Sequence, residues 1–184
     1  MLHLQIYRNH IPMFDNMYAK RLKAYKQIGY ELACGLQIGK QTVNAIYDWD
    51  NYSTYYHKDL LGANNNIIIS SPVISGPKVY ELINLLKEKQ MSGVQITIVT
   101  WAPDSYRFGD AAYWMQLHED MRQAGFYIKT VEESCERFAV IDQEVVWYGN
   151  INLLAKDKVD DSIMRILSKE IASELMEITF GDNG

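Results

Sequence analysis

No stretch of the 184-residue sequence holds the roughly 20 consecutive apolar residues that crossing a bilayer requires. Residues 1–16 interleave His3, Arg8, His10 and Asp15 with apolar side chains, unlike the unbroken apolar stretch of a secretory signal. Cysteine is scarce: Cys34 and Cys135 are the two in the chain, too few and too far apart for a disulfide-stapled secreted scaffold. A reducing compartment, with the cytoplasm as the expected location, fits better, and a single Cys34–Cys135 bridge is the lesser alternative. An excess of basic charge is also missing. The net charge of -5 excludes coating of nucleic acid by bulk electrostatics, although a local basic patch can still hold phosphates. Repeats and low-complexity segments are absent.

What is present is an ordinary globular composition, 48% hydrophobic and 22% charged, in a chain long enough for one domain with a substantial core. In residues 14–32, Phe14, Met17, Tyr18, Leu22, Tyr25, Ile28 and Leu32 recur at spacings of three and four, which predicts an amphipathic helix. Lys20, Arg21, Lys23 and Lys26 fall between them and read as its solvated face, a phosphate-binding strip being the alternative. After Gly35 and Gly39 the pattern changes, so the expected organisation is an N-terminal helical extension over residues 1–40 and a second domain over 41–184.

In that second part, β-branched runs alternate with helical ones. Residues 66–71 read as a strand; Gly76-Pro77 then opens a helix with Val79, Leu82, Leu85 and Leu86 on one face. Residues 94–100 repeat the strand signal, 111–124 the helix and 126–131 the strand. Such alternation predicts an α/β sandwich around a mixed, mostly parallel sheet flanked by helices. Residues 137–142 and 145–149 leave no room for a crossover helix and read as a hairpin about Gln143-Glu144. A last helix from about residue 168 to 177 would bury Ile171, Leu175 and Met176.

Alternate residues of a strand share a face, so Cys135 and Arg137 pair on one side, as do Asn150 and Asn152 if the second strand continues that far. A turn symmetric about Gln143 and Glu144 sets Arg137 against Asn150 and Cys135 against Asn152, gathering all four on one face; an odd-length loop would separate them. Asp142 falls on the opposite parity and reads as a structural turn residue.

The segment Cys135-Glu-Arg137, four residues, Asp142, six residues, Gly149-Asn150-Ile-Asn152 resembles the phospholipase D signature His-x-Lys-x4-Asp-x6-Gly-Ser-x-Asn in every spacing. Residues 150–154, 160–166 and 169–175 are similar to the version found beside helicase domains, and 67–73 and 93–100 also fit; residues 1–43 lie outside the resemblance. The resemblance implies a phospholipase D-like fold and a homodimer, because two motifs must face each other and this chain has one. It also implies metal-independent chemistry without a cofactor, in which one histidine attacks phosphorus, a second protonates the leaving oxygen, and lysines and asparagines hold the phosphoryl oxygens.

This sequence departs from the signature at three places: Cys135 for histidine, Arg137 for lysine and Asn150 for serine. A thiol titrates near pH 8.5 against about 6.5 for imidazole and is a poor proton donor, whereas a neighbouring Arg137 would favour its thiolate. Guanidinium keeps the charge and binds phosphate through two points. The expected site is therefore Cys135, Arg137, Asn150 and Asn152, with the last three binding phosphate. Two functions follow from the resemblance: a dimeric module that binds nucleic acid, DNA before RNA, with weak or lost hydrolysis, or an active phosphodiesterase or nuclease using Cys135. A helicase or other DNA-processing domain is the expected neighbour. No membrane partner or metal site is expected, and His118 reads as a solvated helix residue, its alternative role being a substitute proton donor.

Overall fold

The computed structural model describes residues 31–32, 44–106, 110–132, 135–156 and 161–181. Among these residues, eight strands form one sheet: β1 (Glu31–Leu32), β2 (Ala45–Asp48), β3 (Asn66–Ser70), β4 (Gln95–Trp101), β5 (Tyr127–Val131), β6 (Phe138–Ile141), β7 (Val145–Gly149) and β8 (Ser162–Leu167). Among the described residues, four helices accompany them: α1 (Tyr52–Gly62), α2 (Gly76–Met91), α3 (Ala111–Gln123) and α4 (Lys169–Phe180). The spatial order is β1-β2-β8-β7-β6-β3-β4-β5. The sheet is mixed, with parallel pairing in β3–β4–β5 and at the β1–β2 edge. Pairing is antiparallel through β2–β8, β8–β7, β7–β6 and β6–β3. The parallel share is thus smaller than the alternation of strands and helices implied, because β6, β7 and β8 form an antiparallel meander that joins β3 on one side and β2 on the other with antiparallel pairing.

The β-branched runs become central strands because both their faces find cover. Ile67 and Ile69 join the larger core with Ile96, Ile98, Ala139 and Trp147, beneath α1, α2 and α3. Ile68, Val99, Phe138, Val140 and Val146 face the other way and pack with Ala172 and Leu175 of α4. Full burial of each such aliphatic side chain is worth about 1.5–3 kcal/mol.

Helix α2 follows its sequence pattern, with Val79, Leu82 and Leu86 buried. Helix α3 starts where the Asp110 side chain accepts from the Ala112 N–H at 2.9 Å, and the chain turns away at Gly125, whose φ of 84° suits glycine. Ser168 caps α4 by accepting from the Ile171 N–H at 3.2 Å. This helix is rotated from expectation: Ala172 and Leu175 are buried while Ile171 is exposed. The small Ala172 side chain lets the helix approach the sheet closely, so alanine rather than isoleucine occupies the contact line.

Helix α1 has no counterpart in the sequence reading. Its buried stripe is Tyr52, Tyr56 and Leu60, a four-residue spacing carried mainly by tyrosine. Asp59 on its polar side reaches the sheet, accepting from Arg165 Nε at 2.6 Å, Arg165 Nη2 at 3.1 Å and Trp147 Nε1 at 2.9 Å. This two-point pair ties α1 to β7 and β8.

The expected leading helix lies outside the described residues except at its end, where Glu31–Leu32 are strand and pair in parallel with Ala45 and Ile46. The boundary expected near residue 40, and Cys34, also lie outside them. Cys135 is a free thiol. No described helix is long and apolar enough to cross a membrane.

Candidate phosphate-binding site

The hairpin that carries the site is shifted by one residue from a turn centred on Gln143-Glu144. Phe138 opposes Tyr148 and Ile141 opposes Val145, leaving Asp142, Gln143 and Glu144 in the turn. The cause lies elsewhere in the chain. Asp142 Oδ1 accepts from the Asn65 and Asn66 N–H groups at 2.8 and 3.0 Å, and Oδ2 from the Asn64 N–H at 2.8 Å. Three amides at the entry to β3 hold this carboxylate, so the turn must begin at Asp142. Burial alone would push its pKa up, but those hydrogen bonds outweigh it and hold the carboxyl below the ordinary aspartate range. Asp142 and Gln143 adopt φ of 51° and 56°, a left-handed pair that closes the hairpin with Glu144 N–H donating to Ile141 O at 3.1 Å. Asp142 is thus structural, as its parity suggested.

In this register Arg137 stands opposite Gly149, whose N–H donates to the Arg137 carbonyl at 3.3 Å, and the predicted cross-strand pairs Arg137–Asn150 and Cys135–Asn152 do not form. Gly149 has no space for a side chain: a Cβ there would lie 2.7 Å from Ile163 Cα on β8. Past Gly149 the chain leaves the sheet, and strand parity ceases to govern side-chain direction. Asn152 is thereby carried back over the strand ends, where its Oδ1 accepts from Arg137 Nε at 3.0 Å. Asn150 is exposed and held through its backbone, its N–H donating to Ser162 O at 3.0 Å.

The loop bearing Asn152 is fixed from below. Ser71 Oγ donates to Val73 O at 2.9 Å and accepts from the Leu154 N–H at 3.3 Å. The Ser75 N–H donates to Leu154 O at 2.7 Å, and Ala155 N–H to Asn152 O at 3.1 Å. Arg137 therefore meets a preset amide, with its remaining guanidinium N–H groups able to serve an oxyanion.

Cys135 is half-buried at the edge of the smaller core, beside Phe138 and Val99. Its Sγ lies 3.4 Å from Ser70 Oγ and 3.8 Å from Val99 O. Ser70 Oγ also donates to Glu136 O at 2.6 Å. Burial pushes the thiol up; the Ser70 hydrogen bond and the Arg137 charge pull it down while Glu136 pushes it up, and the balance lies above the ordinary thiol range. The thiolate expected from the neighbouring Arg137 is thus not favoured at neutral pH, because desolvation outweighs the cation. Tyr106 completes this end: its hydroxyl donates to Pro72 O at 3.3 Å and lies 3.2 Å from Thr100 Oγ1. In the sequence Ser70 and Ser71 read only as strand residues and Tyr106 is not singled out; a Ser-Ser pair ending an apolar strand was the available signal.

His118 is neither solvated nor gathered with these groups. It is buried in α3, facing a hollow beside Pro103, and burial together with the Arg122 cation lowers its pKa to about 4. Among the described residues, no three histidine, cysteine, aspartate or glutamate side chains converge as metal ligands.

The sequence profile of the family described as "Cardiolipin synthase, PLD-like domain" matches residues 56–180. No curated protein matches the chain by sequence. Among solved structures, the fold is similar to NucT from Helicobacter pylori, with a TM-score of 0.57 and 10% identity over 73% of this chain and 91% of that one. Nuc from Salmonella typhimurium, a phospholipase D family member, aligns with a TM-score of 0.57 and 14% identity over the same 73% and 91%. TrmBL2, an archaeal chromatin protein with a novel mode of DNA binding, aligns with a TM-score of 0.54 and 11% identity over 91% of this chain and 59% of that one.

Proposed function

The chain belongs to the phospholipase D-like family, and from that premise we propose that it is a dimeric module that binds nucleic-acid phosphodiesters and has weak or lost hydrolase activity. Arg137, Asn150 and Asn152 hold the phosphate; Cys135 stands where the nucleophile would be. The observation that carries this reading is the contrast between the two halves of the motif. Arg137 and Asn152 meet in hydrogen-bonding geometry, ready for an anion. Cys135 is half-buried beside Ser70, with its thiol held protonated. A protonated thiol attacks phosphorus poorly, and it has no second ring nitrogen through which its proton could be oriented. Binding survives such a change more readily than turnover does.

DNA is the favoured polymer, a second copy the favoured partner across the site, and the cytoplasm, beside a helicase or other DNA-processing domain, the favoured setting. The second reading, an active metal-independent phosphodiesterase using Cys135 as nucleophile, is favoured by the intact spacing from Cys135 to Asn152. A phosphodiester cleavage assay in chelator separates the two. The binding module predicts no cleavage by the native chain or Cys135→Ala, and activity only in Cys135→His. Cleavage by the native chain that vanishes in Cys135→Ala supports the enzyme instead. Hydrolysis of a phosphatidyl lipid without any hold on DNA would contradict the binding module.

A further inference from the structure

We propose that Trp49 is a stacking platform for an unpaired base, so that the polymer held at Arg137 is single-stranded nucleic acid. The inference rests on the phosphate-binding reading above and deepens it. Strand register places the residue. Phe138 pairs with Tyr148, Gly149 with Ile163 and Ser162 with Asp48, so Trp49 follows β2 at the end of the sheet that carries the motif. The Asn150 N–H donates to Ser162 O at 3.0 Å and the Trp49 N–H to Asp161 O at 3.2 Å, which sets the two residues on either side of the start of β8. Two strand spacings, about 10 Å, separate β2 from β7. A stacked strand rising roughly 3.4 Å per nucleotide covers that span in about three nucleotides.

The indole is free to receive a ring. Trp49 is 41% exposed, and among the described residues no aromatic ring packs against it. Tyr55 is exposed to a similar degree, but its ring already lies 4.8 Å from that of Tyr47. Tyr127 is more exposed still and lies at the other end of the sheet, paired with Thr97. The backbone beneath Trp49 is fixed, since the Asp48 N–H donates to Asn51 Oδ1 at 3.0 Å and the Asn51 N–H to Asp48 O at 3.2 Å. A large flat side chain on a fixed turn offers its face at little cost in conformational entropy.

The flanking charges decide which part of a nucleotide reaches it. Asp48 and Asp50 adjoin Trp49 in sequence, and Asp161 adjoins it across the ladder. Three carboxylates repel a phosphate, so the backbone of the polymer stays at Arg137 and Asn150 and the neutral base turns to the indole. A duplex keeps its bases paired and stacked inside the helix and has no face to offer. A single strand does, and every base has a π-face, so the platform accepts any sequence.

Binding by the full chain to three labelled ligands of equal length tests this: an oligothymidylate, an abasic strand and a duplex. Trp49→Leu, a change at an exposed position, is expected to weaken the oligothymidylate about tenfold, and Trp49→Tyr to keep most of the affinity. Affinity for the abasic strand and the duplex, and the dependence of binding on salt, are expected to stay as in the native chain, because no phosphate contact is lost. Native affinity for the oligothymidylate in Trp49→Leu, or equal weakening of all three ligands, would overturn the platform. If Arg137→Ala loses binding while Trp49→Leu keeps it, the platform alone falls. If the native chain binds none of the three, the phosphate-binding reading falls with it.

Discussion

At the scale of single residues, the site is decided by what surrounds each group. Cys135 lies next to Arg137 in strand spacing, which alone would make it a thiolate; burial against Phe138 and Val99, with Glu136 adjoining, reverses that. Its alkylation should report the reversal directly. In a Cys34→Ser background, iodoacetamide should modify Cys135 slowly at pH 7, at least about tenfold more slowly than an unhindered thiol. The rate should climb only as pH passes above the ordinary thiol value of about 8.5. A rate already at its plateau by pH 7 would show a thiolate and return the balance to the enzyme. Asn152 teaches a similar lesson. Its bond to Arg137 arises because the chain has left β7, so no rule of strand alternation could have supplied it.

At the scale of elements, the register of the β6–β7 hairpin is the feature on which the site depends, and Asp142 sets it. Removing half of that clamp with Asp142→Asn turns an acceptor-only group into one that presents N–H to N–H. This should cost about 1–3 kcal/mol in denaturant unfolding. The sign of the pH effect follows from the lowered pKa. The carboxylate's contribution is full above the unfolded value near 3.9 and is lost as pH falls through the folded value, so the gap between native and variant should narrow below about pH 4. A variant as stable as native at pH 7 would remove Asp142 from this role. Strands β3 to β7 and helices α2 and α3 were legible in the sequence, since aliphatic runs and three-to-four spacing translate directly into buried faces, whereas β1, β2 and β8 were not. Helix α1 was not, because tyrosine carries its stripe. The register was not either, because the amides of Asn64, Asn65 and Asn66 that fix the turn lie 76 to 78 residues away.

At the scale of the whole molecule, a mixed sheet covered on both faces presents one motif at the strand ends, where the loop after β7 meets the start of β6. A single Arg137–Asn152 pair makes half of the pocket that two facing motifs would form, and the proposed twofold mate supplies the rest. Sedimentation equilibrium at micromolar concentration should give a particle of about twice 21.3 kDa. A monomer at those concentrations would confine the pocket to one copy and remove the basis for a shared site. The acidic net charge of -5 sharpens the point, since binding must then come from a local arrangement rather than from the general field.

The most direct measurement is the affinity of a fluorescent DNA oligonucleotide for the native chain and for Arg137→Ala, read by anisotropy in chelator over a series of salt concentrations. Binding through the pocket predicts a loss of about tenfold or more in the variant and a salt dependence shallower by about one phosphate contact. Identical affinity and identical salt dependence in the two proteins would contradict it.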